Sequence, residues 1–208
     1  MNWRLASRLS VIVFAILVVV FVTIIQHNQT EHVSLPGNTI NTEGLQGTDL
    51  GATPAPNFLL TDQFGKQVSL SQFKGQPVVL TFLYTHCPDV CPLTAEKLHT
   101  VMQNLGSDAQ RVAVLAVSTD PKRDNISAAL SFSKTHRMTE YWHFLVGTQA
   151  SLSPVWTAYS VYAQQEQQTV NHTLALFVID KQGKERILLD DSFTPTQLTD
   201  NLRILLKE

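Results

Sequence analysis

The chain has 208 residues and its charges nearly cancel, with 15 Lys and Arg against 17 Asp and Glu. It carries no run of like charge and no basic stripe with interleaved aromatics, which excludes a nucleic-acid-binding surface. With an N-terminal tail set aside, roughly 150 residues remain, one ordinary domain that buries about two-thirds of its surface without help from disulfides.

The first element is the uncharged run LSVIVFAILVVVFVTII at residues 9–25. At about 1.5 Å per residue it is long enough to cross a hydrocarbon core of about 30 Å. Arg4 and Arg8 precede it, which keeps the N-terminus cytoplasmic and puts the rest of the chain on the outer, periplasm-like face. A cleaved signal peptide has a shorter apolar region followed by small residues at the cleavage site. Here the run passes directly into QHNQTEHV, so residues 1–25 are expected to be a single-pass anchor in the plasma (inner) membrane. Residues 26–56 are polar, rich in Asn, Thr, Gly and Pro, and read as a flexible tether.

The domain is expected over residues 57–208. Its first segment, NFLLTDQFGKQVSL, has the outline of a hairpin about Phe64, Gly65 and Lys66. PVVLTFLYT (77–85) and RVAVLAVST (111–119) are near-continuous apolar runs of the kind a parallel strand needs when helices cover both its faces. Between them Ala95, Leu98, Met102 and Leu105 recur at helical spacing, and Gly106 supplies a stop. A second helix is expected from Ile126 to His136. TLALFVID (173–180) is a third apolar strand, turned by KQG into KERILLD as an antiparallel partner. Thr194 as cap, Pro195 in the first turn, and Leu198, Leu202 and Leu205 on one stripe make a closing helix. The pattern is α/β with a mixed sheet flanked by helices, and a thioredoxin-like layout fits it.

Cys87 and Cys91 are the only two cysteines. They stand four residues apart in FLYTHCPDVCPLT, between an expected strand and an expected helix. In an oxidising compartment such a pair is a staple, a redox couple or a metal site. A staple closing so short a loop constrains the unfolded chain little, which favours the last two. Pro92 suits a first helical position, so Cys91 is expected to cap the helix, where the dipole favours its thiolate. Three residues separate the cysteines, against two in redox thioredoxin motifs. Residues four apart in a tight turn still place their Cα atoms about 6 Å from each other, within disulfide reach. Both chemistries stay open on spacing alone.

A metal would need a further donor, and the chain offers seven histidines. His27 and His32 are in the tether. His86 is adjacent to Cys87 and on a strand would face the opposite way. His99 is about 12 Å along the helix from Cys91. His136 and His143 flank an expected loop and read as surface residues. His172 directly precedes TLALFVID, and in a thioredoxin-like sheet the loop entering that strand faces the cysteine loop. Without the fold, it reads first as a histidine satisfied at a strand edge.

Three motifs, YTHCPDVCP, VSTDPKRD and VNHTLALFVIDKQG, closely resemble the Sco (SenC/PrrC) family of membrane-tethered, thioredoxin-like copper proteins. The resemblance runs from about Pro54 to the C-terminus. It implies that Cys87, Cys91 and His172 are copper ligands, for Cu(I) or Cu(II). It further implies delivery of copper to the dinuclear copper centre of cytochrome c oxidase during assembly. The partners would be the copper-binding subunit of that oxidase and a copper donor chaperone. Two thiolates and an imidazole suit copper, with zinc as the chemical competitor. The rival role is a thiol-disulfide oxidoreductase in which Cys87 and Cys91 reduce the acceptor's cysteines. A peroxide-reducing role finds only His86 and Lys97 as weak activating groups. Asp120 is read as influencing ligand protonation or partner docking, or as capping the next helix, and Asp89 as tuning thiolate charge or as an exposed loop carboxylate. The sequons at Asn28, Asn125 and Asn171 carry no separate argument.

Overall fold

The computed structural model describes residues 18, 41, 43–165 and 170–208. The expected anchor, residue 18 apart, and the tether up to residue 40 lie outside the described residues. Among the described residues no helix is long and apolar enough to cross a membrane.

The strands are β1 (Thr48–Pro54), β2 (Leu59–Thr61), β3 (Gln67–Ser69), β4 (Val78–Leu83), β5 (Ala113–Ser118), β6 (His143–Leu145), β7 (Ala163–Gln165), β8 (Val170–His172), β9 (Leu176–Ile179) and β10 (Lys184–Leu189). The helices are α1 (Val90–Leu105), α2 (Ile126–Thr135), α3 (Gln149–Ala158) and α4 (Pro195–Lys207). Six strands form one sheet in the order β1-β10-β9-β4-β5-β6, and β2–β3 and β7–β8 are separate hairpins. β4, β5 and β6 run parallel, while β9 lies antiparallel to β4 with Thr81 opposite Leu176.

β4 and β5 are buried along their whole length, as their unbroken apolar runs require. Strand alternation sends Val79, Leu83, Val114 and Ala116 into a core shared with α1, α2 and α4. Val78, Leu80, Phe82, Leu115 and Val117 enter a second core under α3 and the β2–β3 hairpin. Helix ends follow local chemistry. α1 stops at Gly106, whose φ of 59° suits glycine. Asn125 accepts the Ala128 N–H at 3.0 Å to start α2, and Thr194 with Gln197 forms a capping box on α4.

β1 falls within the stretch read as tether. It is an edge strand on β10, with an irregular register between Asp49 and Thr53. The chain before it packs closely: Leu45 is fully buried, and a Cβ on Gly47 would come within 2.4 Å of the Ile187 side chain. Arg186 of β10 fastens the same region, pairing with Glu43, with Asp180 at 3.2 Å and with Glu208 at 2.9 Å. β6, α3 and the β7–β8 hairpin are further elements that periodicity did not single out.

Candidate functional site

The C-terminal ends of β4 and β5 and the start of β9 meet at one edge of the sheet. β4 passes into Tyr84, Thr85, His86 and Cys87, and α1 begins at Val90 after Asp89 in the N-cap position. Cys91 is therefore inside the first turn, fully buried, and does not cap the helix as expected. Pro92 falls at the third helical position, where the missing N–H still has no carbonyl to serve.

The cap-like role belongs to Cys87. Its sulfur accepts the Cys91 N–H at 3.4 Å. The Cys91 thiol also bonds to it and is the largest influence holding Cys87 down to about 5, with help from the Asp89 and Cys91 backbone N–H groups and Tyr84, against the cost of burial. Cys91 moves the opposite way, pushed up by donating its proton to Cys87 and by burial. The pair is a thiolate at Cys87 and a thiol at Cys91, the reverse of the order expected. Both cysteines are free, with no disulfide between them.

His172 ends β8. Its Nδ1 lies 3.0 Å from the Thr173 carbonyl oxygen. A carbonyl only accepts, so Nδ1 carries the proton and Nε2 keeps its lone pair. Burial lowers the imidazole's affinity for a second proton, opposed by the Thr173 carbonyl and the Cys87 charge. A neutral imidazole with Nε2 available is the form that binds metals.

Tyr84 stands between these groups. Its ring meets the His172 ring edge-on, centroids 5.7 Å apart at 84°. Its hydroxyl lies within the influence of the Cys87 sulfur and the Val170 backbone N–H. Burial and the neighbouring sulfurs push the phenol up to about 12, so it remains a donor. Arg123 lies over the ring, 5.7 Å from its centroid, and is ion-paired to Asp120. Among the described residues no three His, Cys, Asp or Glu side chains stand close enough together to hold a metal ion. Cys87, Cys91 and His172 are gathered about Tyr84 without converging on one point.

Asp120 is fully buried. It is not the cap of α2, which is Asn125. Asp124, four residues on, ties the loop together: it accepts the Thr85 N–H at 3.0 Å, the Thr85 hydroxyl at 2.6 Å and the Ser118 hydroxyl at 2.6 Å. Burial raises its carboxyl above the usual range despite those bonds. His86 is half exposed, its Nδ1 2.9 Å from the Thr85 hydroxyl. His99 is buried on α1, edge-on to Tyr141 at 5.6 Å. The other two histidines among the described residues are more engaged than a surface loop implies. His136 pairs with Glu96 at 3.3 Å. His143 lies in β6 and pairs with buried Asp62 at 3.0 Å.

Sequence reasoning did not single out Tyr84, Arg123 and Asp124. All three lie inside the motifs it quoted, but their roles depend on contacts between segments far apart in the chain.

A thioredoxin-like domain with a thiolate–thiol pair after its central strand, and a neutral histidine at the end of β8, defines a class of thiol or metal-handling proteins. The SCO1/SenC family profile matches residues 46–207, and the chain belongs to that family. The copper-bound ScoI structure from Bradyrhizobium japonicum is similar at a TM-score of 0.67 and 31% identity, over 74% of this chain and 100% of that one. Apo Sco1 from Thermus thermophilus is similar at a TM-score of 0.65 and 31% identity, over 76% and 94% of the two chains. The bovine mitochondrial SCO2 homologue is 28% identical over 71% of this chain, which spans 58% of that relative's length.

Proposed function

We propose that this protein is a copper metallochaperone. It receives copper through Cys87, Cys91 and His172 and passes it by ligand exchange to the copper-binding subunit of cytochrome c oxidase as its dinuclear centre is assembled. Residues 1–25 anchor it in the inner membrane with the domain on the outer face. The observation that carries this reading is the donor set at one sheet edge: a thiolate, a thiol that becomes a thiolate on losing one proton, and an imidazole with a free Nε2. Two sulfurs satisfy Cu(I), and the imidazole accommodates Cu(II) with one further ligand. The similar ScoI of Bradyrhizobium japonicum, solved with copper bound, supports copper over zinc.

The test is a copper titration of the reduced protein beside its His172→Ala variant, following thiolate-to-copper charge-transfer absorption and metal bound per chain. One tightly held copper in the parent, lost in the variant, is the expected result. Equal behaviour of the two removes His172 from the ligand set.

The second reading is a thiol-disulfide oxidoreductase acting on the acceptor's cysteines. It is favoured by the Cys87 thiolate beside a protonated Cys91, the arrangement that attacks a disulfide and then resolves it. It needs both cysteines and not His172, so the same variant separates the two: disulfide exchange survives in His172→Ala.

A further inference from the structure

The chain makes the same kind of turn twice. In TDQFGK and IDKQGK an aspartate closes the hairpin with one oxygen. Asp62 Oδ1 accepts the Phe64 and Lys66 N–H groups at 2.9 and 2.8 Å, and Asp180 Oδ1 accepts those of Gln182 and Lys184, both at 2.9 Å. The second oxygen separates them. On Asp180 it meets Arg186, a permanent cation that is 8% exposed. On Asp62 it meets His143 at 3.0 Å, and that side chain is 36% exposed. The turn does not require an imidazole, and His143 carries a second nitrogen that the turn does not use. The Asp62 carboxyl is held below its usual value: burial opposes this, and the Lys66 N–H, His143 and the Phe64 N–H outweigh it. An ionised carboxylate only accepts, so His143 donates through Nδ1 and keeps the Nε2 lone pair on its exposed side.

The His143 ring lines a cleft of about 560 Å³, within the range of small-molecule sites. The cleft lies against Ala113 and Val114 at the start of β5, at the opposite end of the sheet from the cysteines, which follow the end of β4. Its wall is fixed on both sides of His143. The buried Gln63 amide donates to the Trp142 carbonyl at 2.9 Å and accepts the Phe144 N–H at 2.7 Å, and Thr61 and Val146 exchange backbone bonds at 3.3 and 2.7 Å. The lining also sets the sign of the charge that fits. Glu140 supplies a carboxylate, Asp62 stands behind the imidazole, and among the described residues no Lys or Arg lines the cleft. Exposed Phe64, Phe73 and Tyr141 add aromatic rings, with Phe73 5.6 Å from the His143 ring. Acceptors beside aromatic faces suit a cation that carries N–H groups.

We propose that this cleft binds a small organic ammonium ion with an aromatic or aliphatic body. Glu140 and the Nε2 of His143 accept its N–H groups, and the rings of Phe64, Phe73 and Tyr141 take the body. Asp62 is a positioning residue that fixes the tautomer of the imidazole, as a carboxylate does behind a ligating histidine. Nothing in this assignment uses the copper ligands.

The test is a titration of the full chain, carrying nitrogen-15-labelled histidine, with phenethylammonium at about pH 8, where histidine is ordinarily neutral. Phenethyl alcohol, with the same body and no charge, and the anion hydrocinnamate are run beside it. The His143 ring nitrogens are recognised by their loss in His143→Gln. Before any probe is added they are expected to show a proton on Nδ1 and none on Nε2, and the opposite tautomer overturns the proposal. Saturable movement of the Nε2 signal with phenethylammonium is expected, at a midpoint about fivefold below those of the other two probes. Glu140 is exposed, so Glu140→Gln tests its charge without disturbing the core. That variant is expected to raise the phenethylammonium midpoint about fivefold and to leave phenethyl alcohol unchanged. Equal midpoints for the three probes, an unmoved Nε2 signal, or indifference to Glu140→Gln overturns the proposal.

Discussion

The Cys91 backbone N–H donates to the Cys87 sulfur at 3.4 Å, and the Cys91 thiol is the largest influence holding Cys87 in its charged form. One residue thereby makes its neighbour an anion while remaining neutral itself. In this arrangement the more accessible sulfur is the reactive one, and the buried sulfur is the reserve.

Alkylation measures this asymmetry. At pH 7 iodoacetamide modifies Cys87 first and Cys91 slowly, as peptide mapping reads directly. The Cys87 rate is expected to fall with a midpoint near pH 5, because the reactive thiolate exists above that value and is protonated below it. Cys91→Ala removes the largest of the influences that hold Cys87 down, so its midpoint moves upward.

Copper loading releases protons in a countable number. At pH 7 Cys87 carries none to lose, His172 is neutral with Nε2 free, and Cys91 holds one. Each Cu(I) bound by all three is expected to displace about one proton, measured in weakly buffered solution. Release of none would mean that Cys91 stays outside the ligand set.

Asp124 is the hub of the cysteine loop. Asp124→Ala leaves the Thr85 N–H, the half-buried Thr85 hydroxyl and the buried Ser118 hydroxyl without this acceptor and is expected to cost about 2–4 kcal/mol in urea unfolding. Asp124→Asn keeps one acceptor oxygen and costs less. Burial raises the Asp124 carboxyl, so the sign is that of a group whose folded value lies above its unfolded one. Its contribution favours the fold at low pH and declines as pH rises through the folded value. Asp124→Asn is therefore expected to flatten the parent's acid-side stability curve.

Arg186 is 8% exposed and faces three carboxylates, of which Asp180 is 4% exposed. Arg186→Met strands the Asp180 charge and is expected to cost about 3–5 kcal/mol. Because the site lies at the sheet edge beside Tyr84, away from this clasp, copper stoichiometry at temperatures well below unfolding is expected to match the parent.

The parts of the fold legible in the sequence are those whose cause is local. β4 and β5 are apolar throughout because both their faces are buried, and α1 and α4 carry their own stripe and their own stop or cap. β1 is not legible, since TDLGATP has only one large apolar residue. The strand is held by main-chain pairing to β10, by the space Gly47 leaves and by Arg186, none of which a local pattern records. The site divides in the same way. Cys87, Cys91 and His172 are named from residue type and motif, and the structure gathers them about Tyr84 without bringing them to one point. Which sulfur is charged was not readable: it depends on whether the helix starts at Val90 or at Pro92, and the proline rule alone pointed to the later start. Tyr84 reads as an ordinary strand aromatic until β8 is brought against it.

The burial of the donors is graded. Cys91 is sealed at 0% exposed and Cys87 shows 8%, while His172 at the end of β8 is half-buried. If the three hold copper as proposed, a ligand from an acceptor would meet His172 and Cys87 before Cys91, and unloading would have a direction: the imidazole first, the outer sulfur second and the inner sulfur last. The sealed cysteine would then be a final hold, and the ion would leave only once an acceptor had supplied replacement ligands.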